Sequence, residues 1–208
     1  MITLDIFADP ACPWCYIGKA RLDRALEARP EHPFAITWHP FQLNPSLPPE
    51  GMERAAYLRA KFGAGAEGYA LPILQAAQES GLNLNLAAIT RQPNTRDALR
   101  LLHWAGIEAR QSLVMAALCR AFWVEGRDIS RPEVLEEIAG AAGMERAVVR
   151  RLLSGEADHD EIARREAHAR ERGITALPTF LLGNTHVIEG AQPTDFWLRV
   201  IDELAPAG

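Results

Sequence analysis

Two cysteines, in Cys12-Pro13-Trp14-Cys15, stand where an apolar run, Ile2 to Phe7, gives way to a helical pattern through Leu22, Ala25 and Leu26. That arrangement predicts a strand, a tight turn and a helix opening at Pro13, where proline's fixed φ suits the first helical position and its missing N–H is no loss. Cys12 then falls at the N-cap. Its Sγ faces unpaired backbone N–H groups and the positive end of the helix dipole, which favour thiolate over thiol. Cys15, one turn further in, lies within disulfide reach and faces the core. The residues point to a redox dithiol in which Cys12 attacks and Cys15 resolves.

Paired cysteines also hold zinc, but a structural zinc takes four ligands, supplied by a second C-x-x-C or by spaced histidines. The remaining cysteine, Cys119, is alone, and His32, His39, His103, His159, His168 and His186 show no ligand spacing. No metal site is expected. The chain has 208 residues, 48% of them hydrophobic, enough for one large domain or a domain with a sizeable insertion. A net charge of −5, with both signs interleaved, offers no surface for nucleic acid or membrane. Met1-Ile2-Thr3-Leu4-Asp5 lacks the basic region of a signal peptide, and no apolar run approaches a membrane span. The expected location is cytoplasmic, where a C-x-x-C is more often catalytic than structural.

In chain order, Ile2 to Phe7 reads as a strand, Pro13 to Ala28 as a helix, and Phe34 to Leu43 as a second strand, parallel to the first through a β-α-β crossover. After the turn-rich Asn44 to Pro49 the patterns become helical. Helices are expected over 50–62, 68–80, 95–105 (capped by Asn94, with Asp97 in its first turn), 112–124 and 145–153, with a capping box at Ser130-Arg131-Pro132-Glu133 opening another. The α/β character then returns: a charged helix over 160–172, a strand over 174–183, an antiparallel partner over 186–189, and a last helix opened by Pro193. The order is β-α-β, insertion, α-β-β-α. This is an α/β fold with a large all-helical insertion: residues 1–47 and 158–208 form one domain and 48–157 the inserted one.

Pro178 heads an apolar strand, unusual for proline outside an edge, a bulge or a special peptide bond. Beside a C-x-x-C, the expectation is a cis Leu177-Pro178 bond that brings polar backbone groups of Leu177 to the cysteines. The plainer reading is a strand-start proline in trans.

Asp9-Pro10-Ala11-Cys12-Pro13-Trp14-Cys15-Tyr16-Ile17-Gly18, Pro40-Phe41-Gln42-Leu43-Asn44-Pro45, Gly126-Arg127-Asp128-Ile129-Ser130, Leu177-Pro178-Thr179-Phe180 and Gly190-Ala191-Gln192 together resemble the FrnE-type branch of the DsbA-like thioredoxin superfamily, over nearly the whole chain. The resemblance implies a thioredoxin fold with a helical insertion and protein disulfide oxidoreductase activity. It makes Cys12 the nucleophile, Cys15 its resolving partner, Pro178 the cis-proline and Leu177 the residue that meets substrate backbone. Leucine departs from the small or β-branched residues often seen there. Kappa-class glutathione transferases and 2-hydroxychromene-2-carboxylate isomerases share this architecture but carry serine where this chain has Cys12. They supply the alternative, a glutathione-dependent transferase or isomerase; a second alternative is a non-catalytic, chaperone-like binding protein. Secreted relatives place histidine where this chain has Trp14, which implies a disulfide less oxidising than DsbA's, about −120 mV.

The expected reaction is electron exchange through the Pro13-Trp14-bridged dithiol with protein or small thiols, without a bound cofactor, with glutathione as a possible co-substrate. Monomer and homodimer both remain open. Proton transfer to Cys15 needs a base, for which Asp5 and Asp9 are the candidates; the plainer readings are the wet end of a strand and a turn residue. Cys119, among Leu113, Met115, Leu118 and Phe122, reads as a small buried hydrophobe. His39 reads as structural, Asn44 and Asn94 as turn and cap residues, and the Arg/Glu alternation over 161–172 as a solvated helix face.

Overall fold

The computed structural model describes residues 1–204. Residues 205–208, the end of the segment expected over 158–208, lie outside the described residues.

β1 (Ile2–Ala8) turns Leu4, Ile6 and Ala8 to one face, all fully buried, and Asp5 and Phe7 to the other. α1 (Pro13–Ala28) opens with Pro13 at its start and lays Leu22 and Ala25 on the Leu4/Ile6 face. Gly18 lets α1 lie close to Pro178 and Ala191: a Cβ at that position would sit 3.1 Å from Pro178 Cγ and 3.4 Å from Ala191 Cα. β2 (Phe34–Pro40) pairs parallel with β1, Ile2 opposite Phe34.

The strand over 34–43 ends three residues early. Pro40 brings no N–H; Phe41 N–H still donates to Ala8 C=O at 3.2 Å, and the two amides after it leave the ladder for side chains: Gln42 N–H donates to Glu166 Oε1 at 2.9 Å and Leu43 N–H to Asp9 Oδ2 at 2.7 Å.

Between β2 and the returning α/β segment come β3 (Met52–Glu53), α2 (Arg54–Phe62), α3 (Ala70–Glu79), β4 (Arg91–Gln92), α4 (Arg96–Ile107), α5 (Gln111–Trp123), α6 (Pro132–Ala141) and α7 (Arg146–Leu153). The β3/β4 ribbon, two residues a side, was not visible in the sequence pattern. Glu53 caps α2 by accepting from Ala55 and Ala56 N–H. Thr95, not Asn94, is the N-cap of α4, although Asn94 Oδ1 accepts from Arg96 N–H at 3.0 Å. The capping box does not form: Arg131 holds the N-cap of α6, and the Ser130 hydroxyl donates instead to Asp128 Oδ1 at 2.6 Å.

The chain returns through α8 (His159–Glu171), β5 (Thr179–Leu182), β6 (His186–Glu189) and α9 (Thr194–Leu204). β5 pairs antiparallel with β1 and with β6, giving the sheet order β2-β1-β5-β6. Residues 174–178, expected as strand, are loop, with Pro178 at the threshold of β5.

One apolar core runs from the sheet (Leu4, Ile6, Trp38, Phe180) through α1 into the helical segment at Leu99, Leu102, Leu118, Phe122 and Trp123. α4 packs on β2 and α8, and α1 on α9. Gln111, at the start of α5, accepts from Trp38 N–H at 3.0 Å and donates to Trp38 C=O at 2.9 Å, occupying the free edge of β2. Arg100, fully buried, donates to the carbonyls of Leu152, Gly155 and Ala157 at 2.7–2.8 Å and to Asp97 at 2.9 Å, closing the end of α7. No described helix is long and apolar enough to cross a membrane.

Candidate functional site

Cys12 is the N-cap of α1, in extended backbone geometry, and its carbonyl accepts from Cys15 N–H at 3.1 Å and Tyr16 N–H at 3.4 Å. The two cysteines are free and buried. Cys12 Sγ lies 3.9 Å from the Leu177 carbonyl, and the Leu177-Pro178 bond is cis. Cys15 sits below in the core. Burial, then its hydrogen bond with Cys12 and the charge there, pushes its thiol well above the ordinary range. Pro13 is buried beside them, whereas Trp14 is 37% exposed at the rim.

The two expected carboxylates part ways. Asp5 lies on the opposite face of β1 from the cluster that holds the cysteines, 2.8 Å from His39 Nε2, with His39 stacked on Phe7 at 4.9 Å. Strand alternation fixes this, since Leu4, Ile6 and Ala8 take the cysteine face. Asp5 is therefore not beside the dithiol, and His39 is its partner rather than a site residue.

Asp9 is fully enclosed beneath the cysteine loop. Its Oδ1 accepts from Ala11 N–H at 2.8 Å, and its Oδ2 from Leu43 N–H at 2.7 Å and the Thr95 hydroxyl at 2.9 Å. It thus joins the cysteine loop, the segment after β2 and the start of α4. Burial raises its pKa, and the three donors oppose that. Trp123 adds a second tie, its Nε1–H donating to Pro10 C=O at 2.9 Å. Beside Asp9, Glu166 is held up at about 7 by burial, with the Asp9 charge adding to it and the Gln42 N–H and Arg170 opposing. Arg170 lies 4.1 Å over the Phe41 ring.

A cavity of about 420 Å³ opens over Cys12, Pro13 and Leu177. Its far wall belongs to the segment after β2: Arg54, Tyr57 and Lys61 from one face of α2, and Tyr69 just ahead of α3. Lys61 Nζ donates to Asn44 Oδ1 at 2.7 Å and to the Tyr57 hydroxyl at 2.9 Å, and burial holds its pKa below the ordinary value. Asn44, expected as a turn residue, thus holds two of the residues of the wall, Lys61 and Tyr57, from behind. Sequence reading passed over this wall, although the spacing 54, 57, 61 marks one helical face. Cys119 is fully buried in α5, and its thiol is pushed far up by burial. No described cluster of His, Cys, Asp and Glu has the makings of a metal site.

The family model for the DSBA-like thioredoxin domain matches residues 3–202. The chain belongs to this family. Among solved structures it is similar to a probable DsbA oxidoreductase from Streptomyces coelicolor, with 29% identity and a TM-score of 0.85, covering all of this chain and 93% of that one. It is also similar to the uncharacterized protein YwbO of Bacillus subtilis, 26% identical over 207 residues, 97% of this chain and 96% of the relative. The cytosolic disulfide reductase DsbM of Pseudomonas aeruginosa, solved with glutathione, shares the fold at 23% identity and a TM-score of 0.68, covering 97% and 98% of the two chains. Within the DSBA-like family frame, the dithiol sits at the start of the first helix and the helical segment forms a wall facing it.

Proposed function

We propose that the protein is a thiol-disulfide oxidoreductase working through Cys12 and Cys15. The observation that carries the reading is the placement of Cys12: a buried N-cap thiol against the Leu177 carbonyl, with Cys15 beneath it and an open cavity in front. The attacking form of Cys12 is its thiolate, carried at the N-terminal end of α1. That thiolate attacks one sulfur of a substrate disulfide; the substrate S–S bond breaks, a mixed disulfide forms, and one thiolate leaves. Cys15 then attacks Cys12 Sγ, the Cys15 proton passes to the second leaving sulfur, and the enzyme ends oxidised by two electrons as the substrate is reduced to two thiols. Run in reverse, the same steps oxidise a dithiol.

The high pKa of Cys15 suits this order, because it stays protonated until the mixed disulfide has formed. Asp9 is the nearer of the two acids to this chemistry and acts here as the brace of the cysteine loop. Leu177 offers its backbone to substrate beside Pro178. No cofactor beyond the dithiol is required. The FrnE-type reading and a cytoplasmic location, whose poise keeps such dithiols reduced, belong to the same proposal. Protein and small thiols are both candidate partners, and glutathione is the first to try.

The test is the redox equilibrium of the Cys12/Cys15 pair in glutathione buffers, beside a Cys15→Ala variant offered glutathione and an electrophile. A defined two-electron potential, with disulfide exchange lost in the variant, supports the reading. A pair that does not cycle, or conjugation that survives in the variant, replaces it with the transferase or isomerase reading.

A further inference from the structure

Arg54 is only 8% exposed, yet it forms no salt bridge with any described carboxylate. Its guanidinium donates to Gln92 Oε1 and, at 3.4 Å, to the Tyr69 hydroxyl, and it stands 5.6 Å from the ring centres of Tyr57, Tyr69 and Trp123. Arg100, as deeply buried, spends its charge on three helix-end carbonyls and Asp97. Arg54 has no such use. Lys61, one further turn pair along the same face, is met only by the neutral oxygens of Asn44 and Tyr57. No described Asp or Glu lines the cavity. Asp9, the carboxylate whose field reaches Lys61, is already committed to three donors. The Cys12 sulfur on the cavity floor can balance at most one of the two cations, and only as thiolate, so holding both in a partly dry pocket is costly and the cost is recovered when an anion enters.

We infer that the cavity over Cys12 is a carboxylate-binding pocket, and that the substrates of the dithiol are low-molecular-weight disulfides bearing carboxylates, selected by Arg54 and, secondarily, Lys61. This rests on the oxidoreductase reading and narrows it to a substrate class. A volume of about 420 Å³ holds a small molecule rather than a folded loop. The floor presents Cys12, the wall presents the cations, and a carboxylate paired with Arg54 places a sulfur a few bonds away over the thiolate. The guanidinium fork suits a planar carboxylate, and the tyrosine rings exclude water around the pair. The electron balance is that of the exchange above: one disulfide in, two acidic thiols out, the Cys12–Cys15 bridge formed.

The test is single-turnover oxidation of the reduced full-length protein by three disulfides: 3,3′-dithiodipropionate, with two carboxylates; bis(2-hydroxyethyl) disulfide, neutral; and cystamine, with two ammoniums. Alkylatable thiols are counted by mass spectrometry against time, and each rate is divided by that of free dithiothreitol with the same disulfide. The expected order is dianion, then neutral, then dication, with a dianion-to-neutral ratio of about ten or more, the size of one charge-assisted hydrogen bond. Arg54→Gln lowers that ratio about tenfold and Lys61→Gln about threefold, while Arg54→Lys retains most of it. Should Arg54→Gln fail to fold, Lys61→Gln and salt decide: in the wild type the ratio falls as ionic strength rises from about 0.01 to 0.5 M. Equal normalised rates for the three probes, or a ratio unmoved by substitution and salt, overturn the carboxylate pocket alone. Failure of even the neutral disulfide to oxidise the pair overturns the oxidoreductase reading and this inference with it.

Discussion

Glu166 offers a test of how the buried acids behind the dithiol are set. It is 7% exposed, accepts the Gln42 amide at 2.9 Å, and is held at about 7 against an ordinary value of 4.5. An acid whose native pKa stands above its unfolded value binds its proton more tightly in the folded chain. Its contribution to stability is therefore complete below about pH 4.5 and is lost as pH rises through 7. The difference of about 2.5 units converts to about 3 kcal/mol at 1.36 kcal/mol per unit. Glu166→Gln keeps an acceptor for Gln42 N–H and removes the titration. The assay is urea denaturation of the reduced protein, followed by tryptophan fluorescence, from about pH 4.5 to about pH 8 at fixed ionic strength. Across that range the stability difference shifts by about 3 kcal/mol in favour of the variant. His103, held below its ordinary value by burial and then by Arg165, works in the opposite direction as pH falls, but it is common to both proteins and drops out of the difference. A difference constant across the range, or a variant less stable than wild type at the alkaline end, refutes the reasoning.

Three further outcomes follow from the same geometry. Asp9→Ala strands the Ala11 and Leu43 amides while the Thr95 hydroxyl turns elsewhere; at about 1–3 kcal/mol per stranded amide the loss is near 4 kcal/mol, a fall in Tm of about 10 °C, and a calorimetric loss under about 1 kcal/mol contradicts it. Asp5→Ala, on the far face of β1, leaves thiol-exchange rates unchanged and costs less than about 1 kcal/mol; a rate change beyond about threefold would return Asp5 to the site. Cys119, fully buried with its thiol pushed far up, resists iodoacetamide in the native protein and is labelled after unfolding in urea; native labelling would contradict the packing of α5.

The elements most legible in the sequence were those whose signals are local. The N-cap cysteine with proline behind it fixed the start of α1 at Pro13, and the apolar alternation of Ile2 to Phe7 gave β1 to within a residue. Expectations that failed were those where a distant side chain claims a backbone group. β2 does not run on to Leu43 because Glu166 and Asp9 take the Gln42 and Leu43 amides, and neither acid is near them in sequence. Ser130 is a local exception: Asp128 Oδ1, two residues earlier, accepts from both its hydroxyl and its N–H, the group a box glutamate would take. Asp5 and Asp9 were indistinguishable as carboxylates near the first strand; only the pleat and the fold of the Leu43 loop separate them. The cavity wall was spelled out in Arg54, Tyr57 and Lys61, but helical periodicity does not say which neighbour a polar face will meet.

The clamp of Gln111 on both polar groups of Trp38 also bears on how this molecule coexists with other chains. β2 and β6 are the outer strands of the sheet, and an outer strand ordinarily invites an extended peptide to lengthen the sheet. At the centre of β2 the side-chain amide plays the part of that peptide. Recruitment by strand addition is left to β6, four residues long and bordered by His186 and Glu189. Crowded solutions of the protein therefore have one side from which sheet-to-sheet association can start, and a charge placed at Val187, which is exposed there, is the change that would close it.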